Sequence, residues 1–190
     1  MNELTLDLAR WARAPDDTDT RVLDRCLGPA LDVGCGPGRM VVALARRGVP
    51  ALGIDVAPEA VQHVLNAGGL ALVRSVFKHV PGEGRWQHAI LLDGCIGIGG
   101  SPIALLKRVR ELLAPGGVAY VEHDTSPDRA DLTTARISDG RGRVSAPFAW
   151  AVIGHNALDR AAQQAGLRVL ETWPPSDRAL CVLQRPAEVS

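Results

Sequence analysis

Short apolar runs alternate with longer amphipathic segments through the first two thirds of the chain. Five of these runs are predicted to form buried strands, at residues 30–33, 49–54, 71–73, 88–92 and 118–121. Helices are predicted between them at 40–47, from Pro58 onward and at 103–113, where apolar residues recur at helical spacing. Such an alternation is typical of a parallel sheet with helices on both faces.

The two ends of the chain depart from this alternation. Apolar residues at helical spacing over 4–13, followed by a helix at about 19–26, predict a short helical cap over residues 1–28. After the fifth strand, a hairpin insertion is predicted over residues 132–149, turning at Gly140-Arg141-Gly142. A helix at 156–165, with Asn156 as its N-cap, then leads to an antiparallel pair of strands at 168–173 and 179–184.

Composition narrows the class of protein. A length of 190 residues with 46% hydrophobic content predicts a single domain, 1–190, with an ample core. The net charge is zero and no basic cluster is present, so nucleic acid is not expected as the main partner. No apolar stretch reaches membrane-spanning length, so we expect no membrane association. Nineteen arginines against two lysines fit the coding bias of a GC-rich bacterium.

The four cysteines and the N-terminus bear on the cellular compartment of the protein. They are far apart and form no Cys-x-x-Cys pair, so their spacing predicts neither a metal site nor a disulfide scaffold. The N-terminus carries acidic residues early and lacks the pattern of a signal peptide. Together these features predict a cytoplasmic protein.

Residues 31–38 read Leu-Asp-Val-Gly-Cys-Gly-Pro-Gly and join a predicted strand to a predicted helix. Glycines 34, 36 and 38 leave room for close approach of a ligand, and the helix that follows directs its free N–H groups at the loop. A nucleotide-like ligand fits this arrangement. The spacing is Gly-x-Gly-x-Gly, whereas the dinucleotide fingerprint is Gly-x-Gly-x-x-Gly, so a nicotinamide dehydrogenase is disfavoured.

The second predicted strand ends on an acid, Asp55, which lies 17 residues after Gly38. A carboxylate at the tip of this strand lies beside the glycine loop in a doubly wound sheet and can accept both hydroxyls of a ribose. Val56, the next residue, is placed to cover an adenine face. The alternative is that Asp55 only caps the following helix.

The motif Asp-Val-Gly-Cys-Gly-Pro-Gly, with its acid after the second strand, resembles the first motif of class I S-adenosylmethionine (SAM)-dependent methyltransferases. The resemblance covers nearly all of the chain, because a parallel sheet closing with an antiparallel pair is the architecture of that superfamily. It implies a doubly wound α/β fold with a seven-stranded, mostly parallel sheet, an antiparallel final strand and SAM as the cofactor. The stretch Leu-Leu-Asp-Gly-Cys-Ile-Gly-Ile-Gly-Gly at 91–100 resembles a group of small bacterial methyltransferases.

The residues expected to hold the cofactor share a place at the carboxyl ends of the first four strands. They are Asp32, Gly34, Cys35, Gly36, Gly38, Asp55, Val56, Ser75, Val76, Asp93 and Gly94. One of them departs from the superfamily, in which an acid after the third strand commonly meets the adenine amine. Ser75 stands there instead, and a neutral acceptor is expected to weaken cofactor binding by about 1 kcal/mol.

Two residues are candidates for catalysis. Asp93 follows the fourth strand, and the resemblance implies that it meets the ammonium group of the cofactor; the alternative is that it only organises the glycine-rich loop after it. His123 follows the fifth strand and is either a general base or a structural histidine. Among the tryptophans, Trp150 at the end of the hairpin is the one expected to line a substrate pocket.

The expected reaction is methyl transfer to a small molecule. An Asn/Asp-Pro-Pro-Tyr motif, found in enzymes that methylate glutamine or adenine amines, is absent, since the fourth strand leads into Asp-Gly-Cys-Ile. Two alternatives stay open: a SAM-dependent enzyme that runs cyclisation or elimination, and a SAM-binding partner subunit without activity of its own. The segment before the first strand is short, so the N-terminal helix, the hairpin, or another chain, including a second copy, closes the site.

Overall fold

Apolar runs form the strands of this protein, and amphipathic segments form its helices. The structure is a computed structural model that describes residues 3–7, 11, 13–138, 144–173 and 178–187. The helices are α1 (Asp17–Arg25), α2 (Arg39–Arg46), α3 (Pro58–Asn66), α4 (Pro102–Leu112) and α5 (His155–Gln164). The strands are β1 (Glu3–Asp7), β2 (Ala30–Val33), β3 (Ala51–Asp55), β4 (Ala71–Val73), β5 (Trp86–Leu91), β6 (Leu113–His123), β7 (Ala130–Ser138), β8 (Phe148–Ile153), β9 (Arg168–Trp173) and β10 (Ala179–Gln184).

Seven strands form the main sheet, in the order β4-β3-β2-β5-β6-β10-β9. The first five strands in this order pair in parallel, and β10 is antiparallel to both of its neighbours. The predicted α/β fold, with a mostly parallel sheet and an antiparallel final strand, is confirmed. From β2 the chain builds outward on one side through β3 and on the other through β5. In open α/β sheets, ligands bind at the carboxyl ends of the strands at this switch point.

The central strands of the main sheet are buried on both faces, whereas the edge strands β4 and β9 are partly exposed. One apolar cluster packs beneath α4 and α5 and includes Val121 and Cys181, and a second lies on the opposite face and includes Tyr120 and Trp173. Adjacent residues of β6 therefore point into different clusters, as the period of a strand requires. No helix in the part of the chain that the structure describes is long and apolar enough to span a membrane.

The prediction of a helix over residues 4–13 is wrong for its first part, because Glu3–Asp7 is strand β1. This strand pairs in parallel with β7, from Glu3 opposite Thr134 to Asp7 opposite Ser138. Leucines alternate with polar residues here, so the segment fits the period of a strand as well as that of a helix, and pairing with β7 decides between them. Residues 8–10 and 12 of the predicted helix lie outside the described residues.

The predicted hairpin exists, with a different second strand. β7 and β8 are antiparallel, with Ala130 opposite Ile153 and Ala135 opposite Phe148, whereas the sequence pattern places the second strand at 143–149. The apolar run 148–153 is what pairs with β7, so the second strand lies further along the chain. The turn at 140–142 lies outside the described residues. β1, β7 and β8 form a separate three-stranded sheet, joined to the loop after β5 by a bridge between Ile98 and Trp150.

The start of α5 also differs from the prediction. The N-cap residue is Gly154, and Asn156 lies inside the first turn, where its side-chain amide donates to Asp128 Oδ1 at 2.7 Å. The backbone N–H of Gly154 donates to the carbonyl of Arg129, so the helix starts two residues earlier than the polar side chain of Asn156 indicates. His155 is therefore the first residue of the helix.

Candidate functional site

A cavity of about 370 Å³ lies at the carboxyl edge of the main sheet, where β2, β3 and β5 end. This volume lies within the range of about 300–1,000 Å³ that is usual for small-molecule pockets. Its lining comes from the glycine loop after β2, the end of β3, the loops after β4 and β5, and strands β7 and β8. The cavity therefore lies at the switch point of the sheet.

The glycine loop forms one wall of the cavity. Gly34 and Gly36 line it with positive φ angles of 71° and 51°, a conformation that residues with a Cβ rarely adopt. A Cβ at Gly34 would lie 2.9 Å from Cys95 Sγ and from Ile98 Cδ1, so the loop packs tightly against the segment after β5. The backbone alone faces the cavity at this point, which leaves room for a ligand.

Asp55 holds the glycine loop and the start of α3 together. One carboxylate oxygen accepts the N–H of Gly36 at 2.9 Å, and the other accepts the N–H of Ala57 at 2.9 Å. The helix-capping role is therefore present, since Ala57 is the N-cap of α3. Asp55 also lines the cavity, and each oxygen of a carboxylate can accept more than one hydrogen bond. The same side chain thus shapes the loop and offers acceptors to a ligand.

Asp32 is a buried acid in the wall of the cavity. Burial raises the pKa of its carboxyl to about 7, and the charge of Arg39 opposes this shift. The carboxylates of Asp93, Asp55 and Asp19 add to the rise, because each disfavours a further negative charge nearby. Near neutral pH, Asp32 therefore exchanges between its neutral and charged forms, and a cation in the cavity would favour the charged form.

Asp93 belongs to a network of buried charges. Arg39 donates to Asp93 Oδ2 at 2.7 Å and pairs with Asp19, whose Oδ2 lies 2.8 Å from its Nε. Arg178 donates to Asp19 Oδ1 at 2.7 Å and to Glu122 Oε2 at 2.6 Å. Two arginines therefore neutralise several carboxylates beside the cavity.

The backbone of Asp93 is constrained as well. Its φ of 54° is the one positive value among non-glycine residues in the described part of the chain, and its N–H donates to Glu122 at 2.6 Å. Burial raises the pKa of the Asp93 carboxyl, and the nearby Arg39 lowers it. Asp93 lines the cavity and also organises the loop after β5, so both roles considered for it fit the geometry.

Aromatic and aliphatic side chains form an apolar wall of the cavity. Phe77 follows β4, Ile98 follows β5, and Phe148 and Trp150 come from β8. The rings of Phe148 and Trp150 meet edge to face, with centroids 5.7 Å apart. Trp150 lines the cavity as the sequence predicts, and the described part of the hairpin covers the site. Trp11, near the N-terminus, also lines the cavity, and it lies beside the glycine loop, because a Cβ at Gly36 would be 3.9 Å from its ring.

Most of the predicted cofactor residues line the cavity; the exceptions are Gly38 and Gly94. Gly38 instead opens α2 with a φ of 89°, and a Cβ there would lie 2.5 Å from Val64 Cγ2. Gly94 starts the short 3-10 turn Cys95–Gly97. Ser75 is in the lining, and its hydroxyl accepts the N–H of Phe77 at 3.3 Å.

His123 is not among the described residues that line the cavity. Its ring lies against that of His155, with centroids 5.7 Å apart, on the α5 side of the sheet. Burial lowers the pKa of His123, which favours the neutral imidazole. The role of general base considered for His123 therefore has no support in the geometry of this cavity.

The sequence interpretation missed Arg39 and the apolar residues Trp11, Phe77, Ile98 and Phe148. Arg39 carried a usable signal, because a cation in the first turn of a helix opposes the helix dipole and calls for carboxylates nearby. The apolar residues carried no such signal in the sequence, because loops and the second sheet bring them to the site from distant segments.

The chain is similar to known proteins at two levels. A family model described as a methyltransferase domain matches residues 8–172. Among solved structures, a SAM-dependent methyltransferase from Bacteroides fragilis in complex with S-adenosylhomocysteine (SAH) superposes with a TM-score of 0.73 at 22% identity, covering 92% of this chain and 80% of that one. No curated protein matches the chain.

Two further structures show the same fold. The 1,6-didemethyltoxoflavin-N1-methyltransferase from Burkholderia thailandensis superposes with a TM-score of 0.68 at 17% identity, covering 90% of this chain and 77% of that one. An amino pentose methyltransferase from Micromonospora echinaspora superposes with a TM-score of 0.67 at 20% identity, covering 93% and 94% of the two chains. The family match spans most of the sequence, and the chain therefore belongs to the methyltransferase domain family.

Proposed function

We propose that this protein binds SAM in the cavity and transfers its methyl group to a small-molecule acceptor. The observation that carries the proposal is that the glycine loop, Asp55 and Asp93 surround one cavity at the switch point of the sheet. Similar structures are described as bound to SAM or SAH, which supports the choice of cofactor. When bound, SAM supplies an electrophilic methyl group on a sulfonium ion.

The charges and donors of the cavity fit this cofactor. A sulfonium and an ammonium group are both cationic, and Asp32 and Asp93 place carboxyl groups in the lining. Asp55, through the free lone pairs of its carboxylate, would accept the hydroxyl groups of the ribose. Val56 and Phe77 offer apolar surface for the adenine ring, and Ser75 offers a neutral oxygen. Gly34 and Gly36 leave the backbone open beside the ligand.

The apolar wall indicates the class of acceptor. Phe77, Ile98, Phe148 and Trp150 present aromatic and aliphatic surface to the same cavity. This surface fits a planar or largely apolar small molecule, held by stacking and by exclusion of water. Orientation of the acceptor along the line of methyl transfer is the main contribution such a wall makes to the rate. One structure of the same fold, that of a 1,6-didemethyltoxoflavin-N1-methyltransferase, contains bound 1,6-didemethyltoxoflavin.

Turnover with a panel of acceptors tests the proposal. The protein is incubated with SAM and with heteroaromatic, phenolic and amino-sugar compounds, and mass spectrometry follows methylated product and SAH. We expect a heteroaromatic or phenolic compound to gain one methyl group, with SAH formed in equal amount. Consumption of SAM without a methylated product would contradict methyl transfer and favour cyclisation or elimination. SAM binding without any turnover would favour a subunit that depends on a partner.

A matched pair of variants then tests the apolar wall. Phe148→Ala shortens a half-buried ring in the lining, and Leu132→Ala shortens a side chain that is 74% exposed on the same hairpin. We expect Phe148→Ala to raise KM for the acceptor by about tenfold, which corresponds to one lost stacking contact of about 1.4 kcal/mol. Binding of SAM should change little. Equal KM values for the two variants would contradict the assignment of this wall to the acceptor.

A further inference from the structure

Three side chains of metal-binding type meet away from the cavity, between β6, β10 and the start of α5. His123 ends β6, Cys181 lies in β10, and His155 is the first residue of α5. One ligand atom of each residue lies within 4.8 Å of the corresponding atoms of the other two. The three are far apart in the sequence, so cysteine spacing, which predicts no metal site here, could not reveal this cluster.

The distance between two of the ligand atoms matches that of a tetrahedral zinc site. His155 Nδ1 lies 3.5 Å from Cys181 Sγ. Zinc binds thiolate sulfur at about 2.3 Å and imidazole nitrogen at about 2.0–2.1 Å, so two such ligands at the tetrahedral angle lie about 3.5 Å apart. This pair of atoms therefore already has the separation that a shared ion requires. The third ligand atom, from His123, lies within 4.8 Å of both.

His123 is oriented as a metal ligand. Its Nδ1 lies 2.9 Å from the carbonyl oxygen of Asp124, so Nδ1 carries the hydrogen and donates it. Nε2 is then left with a free lone pair, and this buried atom has no hydrogen-bond partner among the described residues. His123 as a whole is only 9% exposed. Histidines that bind metals typically donate their second ring nitrogen to a carbonyl or carboxylate in this way.

We propose that His123, His155 and Cys181 form a binding site for a single zinc ion. A thiolate with two imidazoles favours zinc over magnesium or calcium, which prefer oxygen ligands. On binding, the Cys181 thiol releases its proton to solvent and the sulfur bonds to the metal. Three protein ligands leave a fourth position for water, which can enter beside the partly exposed His155. The ion would fasten β6 and β10 to α5.

The site is distinct from the proposed methyl-transfer cavity, because none of its three residues is among the described lining of that cavity. Its effect would be on stability. A ligand that binds only the folded state raises the unfolding temperature in proportion to the logarithm of its concentration. Removal of the metal should leave SAM binding in place at temperatures below unfolding. Failure of one proposal therefore leaves the other standing.

Metal titration of the full chain tests this proposal. After treatment with a chelator under reducing conditions, the protein is titrated with Zn²⁺ by calorimetry and with Co²⁺ by absorption spectroscopy. We expect one equivalent of Zn²⁺ to bind, Co²⁺ to give a thiolate-to-metal charge-transfer band, and Zn²⁺ but not Mg²⁺ to raise Tm. The absence of a thiolate band in the wild-type protein would overturn the proposal, leaving a hydrogen-bonded cluster without metal affinity.

Two pairs of variants locate the site. Cys181→Ser and His155→Ala each remove one ligand, and we expect Zn²⁺ affinity to fall by at least about tenfold in both. The controls are Cys26→Ser, a buried free cysteine on the opposite face of the sheet, and His88→Ala, a half-buried histidine outside the cluster. Both controls should keep wild-type affinity. If Cys181→Ser does not fold, the test rests on His155→Ala, because His155 lies at the partly exposed start of the helix. Unchanged Zn²⁺ affinity in His155→Ala would overturn the proposal.

Discussion

Replacing Arg178 with methionine tests whether the buried charges beside the cavity hold this edge of the protein together. The guanidinium of Arg178 is 8% exposed and donates to Asp19 Oδ1 at 2.7 Å and to Glu122 Oε2 at 2.6 Å. Asp19 is fully buried. Methionine keeps much of the length and apolar packing of the side chain while removing the charge and every donor, so the carboxylates lose this partner.

The magnitude follows from burial. Removing one partner of a buried ion pair costs about 3–5 kcal/mol, because the remaining charge stays desolvated without compensation. Arg39 still pairs with Asp19 in the variant, so we expect the lower end, about 3 kcal/mol. For a domain with a total stability of about 5–15 kcal/mol, this loss is large. Because the network also fixes Asp93, weaker SAM binding should accompany it.

Urea denaturation at neutral pH measures the free energy of unfolding of the wild type and of two variants. The control is Arg47→Met, because Arg47 pairs with Asp24 at 2.7 Å on the surface, with side chains 37% and 64% exposed. A surface pair contributes about 0–1 kcal/mol, and salt should remove most of that, while the larger Arg178→Met loss should persist in high salt. Equal losses in the two variants would refute the reasoning about burial.

Two further predictions concern Asp32, in the wall of the cavity, and Gly97, in the short turn after β5. Burial raises the pKa of Asp32 to about 7, so the folded state binds a proton more tightly than the unfolded chain, and the stability this provides is lost as pH rises. The free energy of unfolding of Asp32→Asn, measured by thermal or urea unfolding, should therefore rise relative to that of the wild type between about pH 4 and pH 8, by up to about 4 kcal/mol. Parallel pH profiles of the two proteins would contradict this. Gly97→Ala places a Cβ 2.2 Å from the carbonyl oxygen of Ala151 and 2.5 Å from Trp150 Nε1, and should destabilise the fold by about 3 kcal/mol or more through overpacking. Gly48→Ala, where the new Cβ has open space and only the positive φ is strained, should lose about 1–2 kcal/mol, and a loss as large as that of Gly97→Ala would count against the contact.

Much of the fold follows from local pattern. Strands β9 and β10 lie at the predicted residues 168–173 and 179–184, because both are apolar runs between clear turn signals. The wall of the cavity that the glycine loop forms can be predicted in the same way, since the glycine loop and Asp55 lie at the ends of neighbouring parallel strands. The positions of residues that depend on one strand and the turn after it could therefore be predicted from the sequence.

The remainder depends on contacts between distant segments. Whether Glu3–Asp7 forms a helix or a strand is decided by pairing with β7, more than a hundred positions away. Arg178 reaches the site from the segment before β10, and its importance follows from burial rather than from any motif. His123 ends a strand as predicted, and its ring lies against that of His155 on the α5 side of the sheet, which strand position alone does not reveal.

Calorimetric titration with SAM, SAH and NAD, on the wild type and on Asp55→Ala, tests the central claim most directly. Asp131→Ala, an exposed acid on β7 outside the described cavity lining, serves as the control. We expect SAM and SAH to bind, NAD not to bind, and affinity to fall by at least about tenfold in Asp55→Ala alone, since one charged hydrogen bond contributes about 1.5–3 kcal/mol. Binding of NAD in place of SAM, or equal SAM affinity in Asp55→Ala and the wild type, would contradict the account.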